Sequence, residues 1–142
     1  MSTANLMIGL SDDQPDPRRL LRKLRIMVVD DSWDTVQTLI EVLRFEGHEV
    51  WALYRANQVI QGVKHFDPDV LLLDIGLPDG SGFALAKDIR ERYGRKRPAL
   101  IAMTGLYKPG PEAKDFDHFL LKPFAFDDLA KLLAPLRAPK PE

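Results

Sequence analysis

Acidic, hydroxyl and ammonium side chains follow four apolar segments of this chain, each at the point where the segment ends. Asp30 and Asp31 follow RIMVV, Asp74 follows VLLL, Thr104 follows LIAM and Lys122 follows HFLL. Three carboxylates packed together repel one another unless a cation neutralises them. Carboxylate oxygens without nearby histidine or cysteine favour Mg²⁺, and a carboxylate can also attack phosphorus. An ammonium and a hydroxyl group are suited to the oxygens of a phosphoryl group. The four segments therefore predict a site for a divalent cation and a phosphoryl group.

Short apolar runs alternate with segments of helical periodicity between the two tails. The short runs are typical of buried strands, whereas spacings of three and four residues indicate helices. We predict strands at Ile26–Val29, Glu49–Leu53, Val70–Leu73, Pro98–Met103 and His118–Leu121, and helices at Val36–Leu43, Ala56–Phe66, Phe83–Tyr93 and Phe126–Leu136. This alternation predicts a parallel sheet with helices on both faces. Such sheets bind ligands beyond the carboxyl ends of their strands, where all four polar groups lie.

Length and composition favour one globular domain with tails. The chain has 142 residues, 45% hydrophobic and 29% charged, which is sufficient for one domain with its own core. A formal net charge of -1 gives no electrostatic basis for binding nucleic acid or a membrane surface, and the apolar runs are too short to span a bilayer. The absence of cysteine is compatible with a reducing cytoplasm. We predict a flexible N-terminal extension at 1–24, a domain at 25–137 and a C-terminal tail at 138–142.

Each of the four motifs has a simpler structural explanation when it is taken alone. An Asp-Asp pair after a strand commonly caps the next helix, and the glycines and prolines after Asp74 are typical of a turn. The joint occurrence of the motifs at four strand ends favours a functional site. The histidines lack the spacing of a metal site, so we predict that His48, His65 and His118 are surface residues or flank strands. The basic residues of Arg90–Arg97 are predicted to be solvated.

Taken together, the motifs VVDD, LLLDIGLPDGSG, AMTG and LLKPF resemble the receiver domain of bacterial two-component response regulators. The resemblance covers roughly Arg25–Leu136. It implies a flavodoxin-like fold with a five-stranded parallel sheet in the order 2-1-3-4-5. It also implies that Asp74 is the phosphoacceptor. Mg²⁺ would be bound directly by Asp31 and Asp74, through water by Asp30, and by the backbone carbonyl of Gly76.

The same resemblance implies further roles and partners. Thr104 and Lys122 would contact the phosphoryl oxygens, Phe119 falls at the aromatic switch position, and the Lys122–Pro123 bond is expected to be cis. Asp74 would take a phosphoryl group from a sensor histidine kinase or a histidine phosphotransfer protein of a phosphorelay. The domain would then signal by contact with a downstream protein. We therefore expect a stand-alone, monomeric, cytoplasmic receiver that is not an enzyme and binds neither nucleic acid nor membranes.

Two features depart from the usual pattern of the family. The segment between Thr104 and Lys122 is shorter by about four residues, or one helical turn, and positions 109–111 are Pro-Gly-Pro. Because proline interrupts a helix interior, we predict that the family's fourth helix is shortened or absent, with at most one turn at Glu112–Phe116. In the family, side chains two residues after the phosphoacceptor and two after the Thr flank the path of the hydrolytic water. The residues here are Gly76 and Leu106, so we predict slow hydrolysis of an acyl phosphate.

Two other classes of protein are alternatives. A phosphohydrolase of the haloacid dehalogenase type also uses an aspartate, Mg²⁺, a hydroxyl and a lysine, but it requires a second carboxylate two residues after the nucleophile. The residue at that position is Gly76. A docking module with a non-signalling site is the other alternative. The presence of all five polar site residues argues against a docking module, whereas the shortened fourth helix favours one. These residues are Asp30, Asp31, Asp74, Thr104 and Lys122.

Overall fold

A five-stranded parallel sheet forms the centre of the domain. In the computed structural model of the chain, the described residues are 21–105 and 110–138. The strands are β1 Arg25–Val29, β2 Glu49–Leu53, β3 Val70–Asp74, β4 Ala99–Thr104 and β5 His118–Leu121. They lie in the order β2-β1-β3-β4-β5, and every neighbouring pair is parallel. The predicted fold and strand order are confirmed, and no predicted strand end differs from the observed one by more than one residue.

Four α-helices of the described residues cover both faces of the sheet. They are α1 Trp33–Phe45, α2 Val59–Phe66, α3 Gly82–Tyr93 and α4 Phe126–Leu133. The hydroxyl groups of Ser32 and Ser81 accept backbone N–H groups at the starts of α1 and α3, because the first turn of a helix leaves these donors unpaired. None of the helices within 21–105 and 110–138 combines the length and apolarity that a membrane span requires.

Two predicted helices are shorter than their periodicity indicated. The predicted helix at Ala56–Phe66 begins as a 3-10 turn over its first three residues and becomes α2 only at Val59. The predicted helix at Phe126–Leu136 ends as α4 at Leu133 and continues as a second 3-10 turn. Pro135 lies at the start of this turn and has no N–H group with which to continue the α-helical bonding.

The sheet separates two apolar cores. Ile26 and Val28 of β1 pack on one side with α1 and α4, whereas Met27 and Val29 pack on the other side with α2 and α3. Val70–Leu73 of β3 is fully buried, as expected for a central strand with helices on both faces. The close packing around β1 and β3 makes the ends of these two strands well-fixed positions for functional side chains.

The connection between β4 and β5 is short, as predicted. In its described part, the only helical segment is a 3-10 turn at Pro111–Ala113. Arg90 of α3 holds this connection in place by donating to the carbonyl oxygen of Asp115 at 3.0 Å and to the carboxylate of Asp117 at 2.5 Å. It also donates to the carbonyl oxygen of Pro98 at 2.9 Å. The prediction that Arg90 is solvated is therefore wrong, because these acceptors replace water around a buried guanidinium group.

The two ends of the domain meet at the edge of the sheet where the strands begin. The N–H group of Arg22 donates to the carbonyl oxygen of Arg137 at 2.6 Å, and Arg137 Nε donates back to the carbonyl oxygen of Arg22 at 3.2 Å. His48 is buried nearby, and its Nδ1 accepts the N–H group of Leu24 at 3.0 Å. His48 directly precedes β2, in line with the strand-flanking position predicted for it, but its burial was not predicted. Most of the predicted extension at 1–24 and tail at 138–142 lies outside the described residues.

Candidate metal and phosphoryl site

The three predicted carboxylates converge beyond the carboxyl ends of β1 and β3. One oxygen from each of Asp30, Asp31 and Asp74 lies within 4.8 Å of the others. Asp30 and Asp74 are buried, whereas Asp31 is exposed, so the cluster opens to solvent on one side. Carboxylates at this spacing repel one another and favour a cation between them. A donor set of oxygens alone fits Mg²⁺, which also retains water ligands on its open side.

Lys122 connects the two buried carboxylates. Its Nζ lies 2.7 Å from Asp30 Oδ2 and 3.3 Å from Asp74 Oδ2. The remaining oxygens accept backbone N–H groups, from Ser32 to Asp30 Oδ1 at 2.9 Å and from Gly76 to Asp74 Oδ1 at 2.9 Å. Each buried carboxylate therefore has one oxygen fixed by the main chain and one facing the ammonium group.

Burial and neighbouring charges shift the proton affinities at this site. Burial is the largest effect on Asp74 and raises its pKa, and the charge of Asp30 raises it further. The N–H group of Gly76 and the charge of Lys122 oppose this shift without cancelling it. Burial lowers the pKa of Lys122, but the hydrogen bond to Asp30 and the charges of both carboxylates outweigh burial, so its pKa is raised. Ionised Asp74 is thus less favourable than in water, which is a condition that a bound cation relieves.

A cavity of about 330 Å³ lies next to Asp74. It is lined by Asp74, Ile75, Gly76, Phe83, Thr104 and Gly105. Thr104 is buried at the end of β4, and its carbonyl oxygen accepts the N–H group of Lys122 at 2.7 Å, which ties β5 to β4 beside the site. A Cβ atom on Gly76 would meet only Asp74 Oδ1, at 3.6 Å. The absent side chain thus leaves open space beside the carboxylate. Leu106, the other residue predicted to flank this path, lies outside the described residues.

Phe119 lies on the exposed side of β5. It and Leu121 are 36% and 44% exposed. The Phe119 ring contacts Phe116 with centroids 5.7 Å apart, and Phe116 in turn meets the edge of Phe83 at 6.2 Å. A row of three aromatic rings thus connects the predicted switch position to the cavity beside Asp74. The Lys122–Pro123 bond is cis, as expected.

Contacts that hold the loops around the site were not visible in the sequence. The carboxylate of Asp79 binds backbone N–H groups at the start of the segment leading to α2, and Trp33 stacks on Tyr54. The Pro-Asp-Gly sequence around Asp79 signals a turn, but nothing in it identifies a partner more than twenty residues away. Arg55, the residue before that 3-10 turn, provides no side-chain acceptor for the first N–H groups of the turn. This is the one local signal that an acceptor must come from elsewhere in the chain.

A parallel five-stranded sheet with an acidic cluster and a lysine at its carboxyl edge defines the class as a flavodoxin-like α/β domain whose acidic cluster could hold a cation. The family model of the response regulator receiver domain matches residues 26–134. The chain belongs to this family and contains a receiver domain of two-component signalling.

Similar proteins include a regulator and a structure determined with a metal. The cell cycle transcriptional regulator CtrA of Caulobacter vibrioides is 27% identical over 82% of this chain and 52% of that protein, so the chain spans about half the length of this curated relative. Response regulator TrrA of Thermotoga maritima, solved in complex with Mg²⁺-BeF, is 28% identical with a TM-score of 0.73, covering 81% of this chain and 99% of that chain. TrrA in complex with histidine kinase ThkA matches at 29% identity and TM-score 0.72, over 81% and 98% of the two chains.

Proposed function

We propose that this domain accepts a phosphoryl group on Asp74, with Mg²⁺, from a histidine kinase or a histidine phosphotransfer protein. The observation that carries this proposal is the convergence of three carboxylates within 4.8 Å, two of them bridged by the Lys122 ammonium group. Asp31 and Asp74 would hold Mg²⁺ directly, Asp30 would do so through water, and the Gly76 carbonyl oxygen would complete the protein ligands. The structures of TrrA with Mg²⁺-BeF and with a histidine kinase support this proposal by similarity.

The transfer step conserves charge and atoms when the other ring nitrogen of the phosphohistidine carries a proton, which it keeps throughout. A carboxylate oxygen of Asp74 forms a bond to phosphorus as the bond from phosphorus to the imidazole nitrogen of phosphohistidine breaks, and the electron pair remains on that nitrogen. The product is an aspartyl phosphate and a neutral imidazole. Bound Mg²⁺ would neutralise negative charge on the phosphoryl oxygens during transfer. The N–H group of Gly76 keeps one oxygen of Asp74 oriented.

Lys122, Thr104 and Phe119 would convert the phosphorylated site into a signal. The Lys122 ammonium group already lies 3.3 Å from Asp74 and would move from Asp30 toward the new phosphoryl oxygens. The hydroxyl group of Thr104 would bind another of these oxygens, and Phe119 would fill the space that Thr104 leaves. Such a change shifts the population of two states, so partner binding and phosphorylation reinforce each other. We propose output by protein–protein contact, in the cytoplasm and as a monomer.

The proposal does not include enzymatic turnover of phosphate esters. Asp74 has no carboxylate two residues later, since Gly76 occupies that position, so no general acid would protonate the leaving group of an ester. Burying the carboxylates of Asp30 and Asp74 with the Lys122 ammonium group costs desolvation free energy. A docking module without phosphotransfer would not require this arrangement, whereas binding of a charged ligand would.

Phosphorylation of the isolated protein tests this proposal. Incubation with acetyl phosphate and Mg²⁺ should add one phosphoryl group by intact mass, and Asp74→Asn should abolish the addition. The matched control is Asp88→Asn, which removes an exposed carboxylate on α3 and should leave phosphorylation unchanged. Equal modification of the Asp74→Asn variant would contradict the assignment of the phosphoacceptor.

A further inference from the structure

The segment between β2 and α2 contacts the two loops that follow β1 and β3 beside the acidic cluster. This segment, Tyr54–Asn57, follows β2 and contains no carboxylate. One acidic loop follows β1 and carries Asp30 and Asp31, and the other follows β3 and leads from Asp74 to α3. We call Tyr54–Asn57 the brace, because each of its two ends touches a different loop.

Tyr54 is the contact between the brace and the first loop. Its ring stacks on Trp33 with centroids 5.9 Å apart and an interplanar angle of 22°. Trp33 is 62% exposed and lies two residues after Asp31. Gln37 of α1 donates to the Tyr54 hydroxyl group at 3.2 Å, so the ring is fixed at both its face and its tip. The start of α1, and Asp31 with it, is thereby held against the end of β2.

Asp79 is the contact between the brace and the second loop. Its two carboxylate oxygens accept the N–H groups of Ala56 at 2.8 Å and Asn57 at 3.2 Å. The N–H group of Ala56 is also the main reason that the pKa of Asp79 is lowered, so this side chain is ionised at neutral pH. The next residue packs tightly on the brace, because a Cβ atom on Gly80 would come within 2.8 Å of the Ala56 Cβ.

The brace opposes the repulsion between the two acidic loops. Lys122 offsets part of the repulsion among the three carboxylates within 4.8 Å, and without a metal ion the remainder favours separation of Asp31 from the other two. Mg²⁺ requires near-ideal octahedral geometry, so its affinity depends on how closely the loops are held in that arrangement beforehand. Contacts that fix both loops to one short segment reduce the reorganisation needed on binding.

We propose that Asp79 and Tyr54 are positioning residues for the metal site, acting through the brace on the loops that carry Asp31 and Gly76. This inference rests on the proposed function, since it requires Mg²⁺ to bind at that site. Neither residue touches the cation; each sets the position of a loop that does. Because both contacts act through the same short segment, their effects on affinity are coupled.

Calorimetric titration of Mg²⁺ into the wild-type protein and three variants tests the inference. We expect Asp79→Ala and Tyr54→Leu each to weaken Mg²⁺ binding about tenfold, the lower end of the range for outer contacts of metal sites. The double variant should lose less than the product of the two factors, because either substitution alone disconnects the segment from one loop. Asp79→Asn retains one acceptor oxygen and should show a smaller loss than Asp79→Ala.

Two controls separate positioning from general charge and from stability. Asp88→Ala removes the same charge from an exposed position, and its Mg²⁺ affinity should match that of the wild type. If Asp88→Ala and Asp79→Ala weaken binding equally, the effect is one of net charge and the inference is wrong. A folded Asp79→Ala variant that loses stability to urea but retains the wild-type dissociation constant would also overturn it. Failure of the wild-type protein itself to bind Mg²⁺ would instead refute the proposed function.

Discussion

Acidification from pH 7 to pH 5 should destabilise this domain through His48, a residue remote from the metal site. His48 is 5% exposed, and burial, with a smaller contribution from the charge of Arg137, lowers its pKa from 6.5 to about 4. Glu46 and Asp127 line a cavity together with His48, but their charges do not restore the pKa of His48 to its ordinary value. Protonation would also replace the acceptor that binds the N–H group of Leu24 with a second donor.

The sign and size of the effect follow from the pKa difference between the folded and unfolded chains. Between pH 6.5 and 4 the unfolded chain binds the proton and the folded domain does not, so stability is complete above this window and falls as pH decreases through it. Each pH unit inside the window removes about 1.4 kcal/mol. The loss from pH 7 to pH 5 is therefore about 2 kcal/mol, a large share of a typical domain stability of about 5–15 kcal/mol.

Urea unfolding at pH 7 and pH 5, followed by circular dichroism, measures this loss. The matched variant is His48→Asn, whose side-chain oxygen can accept the N–H group of Leu24 but does not titrate. Carboxylates contribute equally to both proteins, so the wild type should lose about 2 kcal/mol more than the variant. If the two proteins lose the same free energy, folding does not lower the pKa of His48 and the argument from its burial is wrong.

Four further outcomes are expected. Lys122→Ala should lower stability in the absence of metal by about 3–5 kcal/mol in urea unfolding, because it leaves two buried carboxylates unpaired; Mg²⁺ at 100 times its dissociation constant should restore about 2.7 kcal/mol. Gly76→Asn should accelerate loss of the phosphoryl group several-fold by intact mass, since the added amide can hold a water beside the acyl phosphate. In a Trp51→Phe background, Mg²⁺ should change the emission of Trp33 saturably, and a flat titration would contradict a metal near that indole. Light scattering of the phosphorylated protein should give the monomer mass of 16.1 kDa, because the short β4–β5 connection provides little helical surface for pairing.

The sequence was most informative where structure depends on neighbouring residues. Apolar runs such as Val70–Leu73 predict strands because burial on both faces requires an uninterrupted run, and the strand ends then fix the sheet edge at which Asp30 and Asp74 meet. The shortened connection after β4 was also predictable, since prolines at 109 and 111 exclude a full helix.

Contacts between distant residues were not predictable from local patterns. Burial of Arg90 depends on carbonyl oxygens supplied by the next loop and by the β4–β5 connection. Burial of His48, which follows α1 in the chain, depends on the N–H group of Leu24, which precedes β1. Similarly, the 3-10 start of the segment before α2 reflects the carboxylate of Asp79, which a periodicity pattern cannot detect. In each case polar partners from elsewhere in the chain override the preference that the local sequence suggests.

The reciprocal hydrogen bonds between Arg22 and Arg137 determine how this domain can be built into larger architectures. The first and last parts of the folded domain lie side by side at Arg22 and Arg137. A longer protein could therefore contain this domain as an insertion, with the segments before and after it still adjacent. Both attachment points are also at the opposite end of the strands from Asp74. A module joined directly next to Arg22 or Arg137 would therefore leave the Asp74 end of the sheet unobstructed, and the halves of a split reporter joined at these two positions should reassemble whether or not the site is phosphorylated.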